Sequence, residues 1–173
     1  MWFVFDVESD GLHGEGFAYG FVVIDDKGTE LAAGYERADA VLTDEWVLAN
    51  VVPMLPPATF SSRLNMRSKF WSDWLRWKGR GAVMVADCAW PVEARFLASC
   101  VDDHRIDRAW DGPYPLHDVA TMRLAAGLDP LAAGSRLLHE LPVHNPLADA
   151  RQSARLWLEA RYAAAVMAAG GAK

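Results

Sequence analysis

The feature that most constrains the fold is a short apolar run near the start of the chain that ends in acidic residues. Residues 2–5 are Trp-Phe-Val-Phe, and Asp6, Val7 and Glu8 follow directly. Alternate side chains of a strand point to the same face, so Asp6 and Glu8 would share one face. Two like charges at the end of a buried strand repel each other, and a divalent cation between them would offset that cost. The run therefore favours either a metal site or a strand that ends in an acidic, solvated turn.

The remaining patterns predict a mixed sheet with helices packed on it. Strands are predicted over residues 2–8, 17–24, 29–35 and 82–86. Helices are predicted over about 43–54, 65–78, 91–101 and 146–167. The segment 116–126 is predicted to begin extended and become helical, and the segments 105–115 and 128–143 are predicted to be irregular. The turn at residues 25–28 makes the second and third strands antiparallel. The continuously apolar run 82–86 is typical of a strand buried on both faces. We predict an α/β fold whose sheet has about five strands, the first three antiparallel and the later ones parallel, flanked by helices.

Length and charge restrict the function classes. The 173 residues fit one domain, with residues 168–173 predicted to be a frayed tail. No apolar run approaches the ~20 residues that span a bilayer, and acidic residues come too early for a signal peptide, so we predict a cytoplasmic protein without membrane contact. The net charge is −6, whereas proteins that hold long duplex DNA are usually basic. A nucleic-acid partner would therefore be held by a small, metal-mediated contact.

A second pattern with chemical potential lies near the other end of the chain. Asn145 is a favourable N-cap and Pro146 a favourable first helical residue. His144 then precedes the cap and Asp149 is the fourth helical residue, and these two positions meet in the hydrophobic-staple geometry. The spacing therefore predicts that the imidazole and the carboxylate lie close together. A capped helix whose His and Asp face water, or pair with each other, explains the same pattern without any catalysis.

Both patterns resemble motifs of one family. Residues 6–11, Asp-Val-Glu-Ser-Asp-Gly, resemble the DxExxG first motif of the DnaQ-like 3′–5′ exonucleases, the DEDD group of the RNase H-like superfamily. Residues 144–149, His-Asn-Pro-Leu-Ala-Asp, resemble their third motif HxAxxD, with Pro146 where the pattern has Ala, and the His is typical of the DEDDh branch. The two motifs stand in the family's order at opposite ends of the chain. The resemblance implies an RNase H-like fold and one exonuclease domain over residues 1–173.

The resemblance also implies a reaction. The chain would be a metal-dependent exonuclease that hydrolyses phosphodiester bonds at the 3′ end of single-stranded nucleic acid, with RNA or short oligonucleotides slightly favoured over DNA. Two Mg²⁺ or Mn²⁺ ions would hold the scissile phosphate, since carboxylate oxygens favour these metals. Asp6 would bridge both ions, Glu8 and Asp149 would be further ligands, and His144 would take a proton from the attacking water. The residues implied for the pocket of the 3′-terminal nucleotide are Ser9, Asp10, Gly11 and Leu12.

The family's second motif leaves the middle metal ligand open between two acids. The family has an Asp four residues before a Leu in the helix after the buried strand, and Glu93 stands four residues before Leu97, in a stretch similar to one of the oligoribonucleases. With Trp90 as the cap, Glu93 is the third helical residue, where Glu commonly reaches back to the helix start. Asp87 ends the apolar strand, at the edge where open α/β sheets have their sites. We favour Asp87 as the ligand and keep Glu93 as the alternative.

Two other functions and one interface stay open. A catalytically decayed nucleic-acid-binding domain of the same fold, and a metal-dependent endonuclease of the same superfamily, are the alternatives to an exonuclease. Phe70, Trp74 and Trp77 share one face of the helix over 65–78 and are predicted to pack in the core or in a dimer, with stacking on bases as the alternative. Trp71 lies off that face and is predicted to serve an interface, in keeping with a possible homodimer.

Overall fold

The computed structural model describes residues 1–132 and 134–170, and a five-stranded mixed sheet lies at its centre. The strands are β1 (Trp2–Ser9), β2 (Gly16–Ile24), β3 (Glu30–Arg37), β4 (Val83–Ala86) and β5 (His117–Asp118). Their order is β3-β2-β1-β4-β5. The first three strands are antiparallel, and β4 and β5 continue the sheet in parallel with β1. The predicted α/β fold with a mixed sheet is therefore confirmed.

Six helices and two short 3-10 turns accompany the sheet in the described ranges. The helices are α1 (Glu45–Asn50), α2 (Arg63–Lys78), α3 (Val92–Asp103), α4 (Arg105–Arg108), α5 (Val119–Ala125) and α6 (Pro146–Gly170), and the 3-10 turns are Val52–Met54 and Leu138–Glu140. None of these helices combines the length and the apolar character needed to cross a bilayer.

Several predicted boundaries differ from the observed ones. The helix predicted over 43–54 ends at Asn50 and continues as a 3-10 turn, because Pro53 has no N–H to donate. The segments predicted to be irregular contain α4 and the turn Leu138–Glu140. Helix α6 extends to Gly170, into the segment 168–173 for which a frayed tail is predicted, and residues 171–173 lie outside the described chain.

One face of the sheet packs against α2 and α3. The predicted stripe of Phe70, Trp74 and Trp77 is buried there, as expected. The interface predicted for Trp71 is wrong, because this residue is only 3% exposed. The guanidinium carbon of Arg108 lies 5.5 Å from the centroid of the Trp71 ring, so α4 covers the indole. Trp71 therefore belongs to the core and offers little surface to a partner.

The other face of the sheet packs against α5 and α6. Val4 of β1 and Trp157 of α6 belong to one apolar cluster on this side. Because side chains alternate along a strand, Asp6 and Glu8 point to the same face as Val4. Strand β1 therefore delivers both acids to the layer that α6 covers.

Candidate metal centre

The two acids of β1 lie under the first turn of α6. Asp6 pairs with Gly20 across the β1–β2 ladder. Burial raises the pKa of Asp6 well above its ordinary value, and the carboxylates of Glu93 and Glu8 raise it further. Burial also raises the pKa of Glu8 to about 8, with Asp149 and Glu93 adding to the effect. Glu8 therefore favours its protonated form at neutral pH unless a cation neutralises it, and burial shifts Asp6 in the same direction.

Gly20 lets α6 approach these acids. A Cβ at position 20 would lie 2.1 Å from the backbone nitrogen of Leu147 and 2.3 Å from the carbonyl carbon of Pro146. A glycine inside a strand often marks such a close approach of another backbone. Any side chain at position 20 would push the first turn of α6, and Asp149 with it, away from Asp6.

The start of α6 has the predicted cap. The Asn145 Oδ1 atom accepts hydrogen bonds from the backbone N–H groups of Leu147 and Ala148 at 3.1 and 3.3 Å. The backbone N–H of His144 donates to Asp149 Oδ2 at 3.0 Å. His144 has a φ of 64°, a left-handed conformation uncommon for a non-glycine residue. The predicted proximity of His144 and Asp149 is observed, and the hydrogen bond runs through the backbone of His144.

A group of potential ligand atoms forms where β1 and α6 meet. Single donor atoms of Glu8, His144 and Asp149 all lie within 4.8 Å of one another. Burial raises the pKa of Asp149, although the nearby positive charge of Arg136 opposes the effect. Two carboxylates and one imidazole at this spacing can hold a cation between them.

Glu93 reaches the same region from α3. The carbonyl of Pro91 accepts the first intrahelical bond, from Arg95, so Pro91 is the N-cap and not Trp90 as predicted. Glu93 is consequently the second helical residue, and it is only 6% exposed. Burial raises its pKa to about 8, although its own backbone N–H and that of Val7 hydrogen bond to the carboxylate. The bond to Val7 ties Glu93 directly to β1.

Asp87 lies at the rim of this region, at the end of β4. The residue is exposed. Partial burial of its carboxyl group raises its pKa, and the charge of Asp118 adds to the effect. Among the acids that raise the pKa of Asp6, Glu93 has the largest effect and Asp87 the smallest. Glu93 is therefore coupled more strongly than Asp87 to the centre. We call Asp6, Glu8, Glu93 and Asp149 the carboxylate cluster.

A pocket of about 360 Å³ opens beside Glu8. Its wall contains three of the four residues predicted for the terminal nucleotide, together with residues of α1 and its flanks: Ser9, Gly11, Leu12, Asp44, Trp46, Val47 and Val51. The fourth residue, Asp10, accepts hydrogen bonds from the backbone N–H groups of Thr43 at 3.0 Å and Asp44 at 2.9 Å. Asp10 thus fixes the wall of the pocket to the start of α1.

Trp46 joins the pocket to His144. Its ring centroid lies 5.3 Å from that of His144, with the two planes at 87°. The indole is 56% exposed, which leaves most of one face open. Trp46 was not predicted from the sequence, although an exposed Trp in the first turn of a helix, two residues after the N-cap Asp44, is an unusual surface residue.

The ion-pair partner of Asp149 is Arg136. Its Nη1 atom makes a short contact with Asp149 Oδ1 and donates to the Glu140 carbonyl at 2.9 Å. The sequence reasoning missed Arg136, because it lies in a segment without periodicity whose path no local signal defines.

The chain matches no protein-family model and no curated protein.

The chemistry of the potential ligand atoms indicates which cations would fit the centre. Buried carboxylates with raised pKa values need either protons or a cation, and a divalent cation would replace the protons. The carboxylate cluster offers oxygen ligands, which suit Mg²⁺ and Mn²⁺ better than zinc or copper. The residues present therefore fit a hard divalent cation.

Proposed function

We propose that the chain is a metal-dependent 3′–5′ exonuclease of the DnaQ-like DEDDh type, with an RNase H-like fold. The observation that carries this proposal is the group of ligand atoms of Glu8, His144 and Asp149 within 4.8 Å of one another, with Asp6 and Glu93 near enough for the charges of these acids to act on each other. Mutually repelling acids with pKa values raised by burial are costly to the fold, and such groups concentrate at functional sites.

The carboxylate cluster would hold two Mg²⁺ or Mn²⁺ ions. When bound, these ions supply the positive charge that stabilises the negative charge developing on the phosphate during hydrolysis. We assign the middle ligand to Glu93, because Glu93 acts most strongly on Asp6 and is hydrogen bonded to β1. Asp87, which the sequence favours, is the alternative ligand.

His144 would take a proton from the water that attacks the terminal phosphodiester bond. An imidazole suits this role at neutral pH. The bond from the His144 backbone to Asp149 fixes its position, and the edge contact with Trp46 limits the rotation of its ring. The product would be a nucleoside monophosphate.

The pocket beside Glu8 would take the 3′-terminal nucleotide. Its volume of about 360 Å³ lies at the small end of the range for ligand pockets. Leu12 and Trp46 supply apolar surface there, and an aromatic ring can stack on any base. The net charge of −6 fits a partner held through few phosphates, so we propose short single strands, of RNA slightly more than of DNA.

The test is a digest of matched single-stranded RNA and DNA, labelled at the 5′ end, with a short oligonucleotide included and with Mn²⁺ or a chelator. We expect products that shorten one nucleotide at a time from the 3′ end and release mononucleotides. Asp6→Asn and His144→Ala should abolish this release, whereas His104→Ala, which changes an exposed histidine far from the centre, should not. Full activity of either variant at the centre contradicts the assignment.

The same digest separates the alternatives. Internal fragments would indicate an endonuclease. No cleavage together with undetectable Mn²⁺ binding would indicate a decayed binding domain. Glu93→Gln and Asp87→Asn, compared side by side, identify the middle ligand, because only loss of the true ligand should weaken Mn²⁺ binding strongly.

A further inference from the structure

The segment that carries Arg136 is anchored to α6. Glu140 is completely buried, and its carboxylate accepts hydrogen bonds from Arg155 Nε at 2.7 Å and Arg155 Nη2 at 2.9 Å. The same carboxylate accepts the backbone N–H of Leu137 at 2.9 Å. Arg155 also donates to the Ser135 carbonyl at 3.1 Å. These bonds fix the backbone on both sides of Arg136 to one helix.

The anchored backbone directs Arg136 to the carboxylate cluster. The Arg136 side chain is 18% exposed and that of Asp149 is 14% exposed, so their ion pair is largely shielded from water. Charge pairs in such surroundings interact more strongly than pairs on the open surface. The charge of Arg136 also opposes the rise in the pKa of Asp87, so it acts on both acids.

Both carboxylate oxygens of Asp149 are engaged. Oδ1 contacts Arg136, and Oδ2 accepts the backbone N–H of His144. A guanidinium and a divalent cation on the same carboxylate would repel each other, and an arginine stays charged at every accessible pH. A cation that takes Asp149 as a ligand must therefore compete with Arg136.

We propose that Arg136 is an internal counter-ion, which occupies Asp149 in the cation-free protein and must leave that carboxylate when a divalent cation binds. The inference rests on the proposed function, since it takes Asp149 to be a metal ligand. Arg136 is then a positioning residue that sets the affinity for the cation. Its bond to the Glu140 carbonyl keeps the displaced side chain at the rim of the centre.

The test is a calorimetric titration with Mn²⁺ in the absence of nucleic acid. Arg136→Gln should bind Mn²⁺ about tenfold or more tightly than the wild type, because close charge pairs of this kind couple by at least that factor. Arg136→Lys keeps the charge and should stay near the wild type. Arg151→Gln is the matched control: it also removes one arginine charge, but the partner of Arg151 is Glu30, outside the centre, so the affinity of this variant for Mn²⁺ should not change.

The outcomes distinguish this inference from the proposed function. Suppose that Arg136→Gln binds Mn²⁺ no more tightly than the wild type, while Asp149→Asn binds it more weakly. This result overturns the counter-ion role of Arg136 and leaves the proposed metal centre intact. Undetectable binding by the wild type and by every variant overturns both. If a variant does not fold, an NMR titration of the wild type with Mg²⁺ tests the same point. The side-chain N–H signals of Arg136 should shift in proportion to the fraction of protein that has bound the cation. Unchanged signals at saturation overturn the counter-ion.

Discussion

Replacing Glu93 with glutamine should stabilise the cation-free protein at mildly alkaline pH. The pKa of Glu93 is about 8 in the folded chain, against an ordinary value of 4.5. A raised pKa means that the folded state binds the proton more tightly than the unfolded state. The free energy of unfolding therefore falls as the pH rises from about 4.5 to about 8. Glutamine does not ionise, and its amide oxygen can still accept the N–H of Val7.

The size of the effect follows from these values. In the window between the two pKa values, a single group changes the free energy of unfolding by about 1.4 kcal/mol per pH unit. Between pH 6 and pH 8 the wild type should lose about 2 kcal/mol through Glu93, because the titration flattens as the pH nears the folded pKa. Glu8, with a pKa also near 8, should add a loss of the same order. Glu93→Gln should therefore remove at least half of the combined loss, because it also removes a charge that raises the pKa of Glu8.

The assay is urea unfolding at pH 6 and pH 8 in the presence of a chelator. Glu30→Gln, on the exposed strand β3, is the control and should keep the pH dependence of the wild type. Adding Mg²⁺ at pH 8 should restore stability to the wild type, by about 2.7 kcal/mol at a concentration 100 times the dissociation constant. Glu93→Gln should gain less from Mg²⁺. If the variant loses as much stability as the wild type between pH 6 and pH 8, the burial cost assigned to Glu93 is refuted.

Two further predictions concern the surroundings of the centre. Trp46→Ala should raise the KM for oligonucleotides about tenfold with a smaller change in kcat, since stacking on a base is worth ~1–3 kcal/mol. Trp46→Phe keeps an aromatic ring and should keep most of the affinity. An unchanged KM of Trp46→Ala in steady-state kinetics would contradict a role of Trp46 in binding the substrate. Gly20→Ala should destabilise the chain by about 1–3 kcal/mol in urea unfolding and weaken Mn²⁺ binding in calorimetry, because the added methyl group meets the backbone of α6. Gly79→Ala, whose Cβ would make only ordinary contacts, is its control, and equal behaviour of the two variants would contradict the close approach at Gly20.

The parts of the centre that were predictable are those fixed by a few neighbouring residues. Strand alternation puts Asp6 and Glu8 on one face, whatever the rest of the chain does. The cap at Asn145 brings His144 and Asp149 together through the geometry of a single helical turn. Both patterns are found in the structure, since each depends on residues that are close together in the sequence.

Other features depend on how separate elements approach one another. Gly20 matters only because α6 crosses β2 at that point, and Trp71 is buried only because α4 folds over it. Arg136 reaches Asp149 because the ion pair between Glu140 and Arg155 holds its segment in place, and the sequence of this segment has no periodic pattern from which its path could be predicted. The stronger coupling of Glu93 than of Asp87 to Asp6 depends on where the first turn of α3 meets β1, which no local pattern defines.

The carboxylate cluster draws its members from both ends of the chain, and this has a consequence for synthesis. Strand β1 leaves the ribosome before α6, so Asp149 cannot join Asp6 until all the elements between them have been synthesised. The repulsion that Asp149 adds to Asp6 and Glu8 therefore arises only when α6 docks. A nascent chain that has not yet reached α6 would therefore lack the group formed by Glu8, His144 and Asp149.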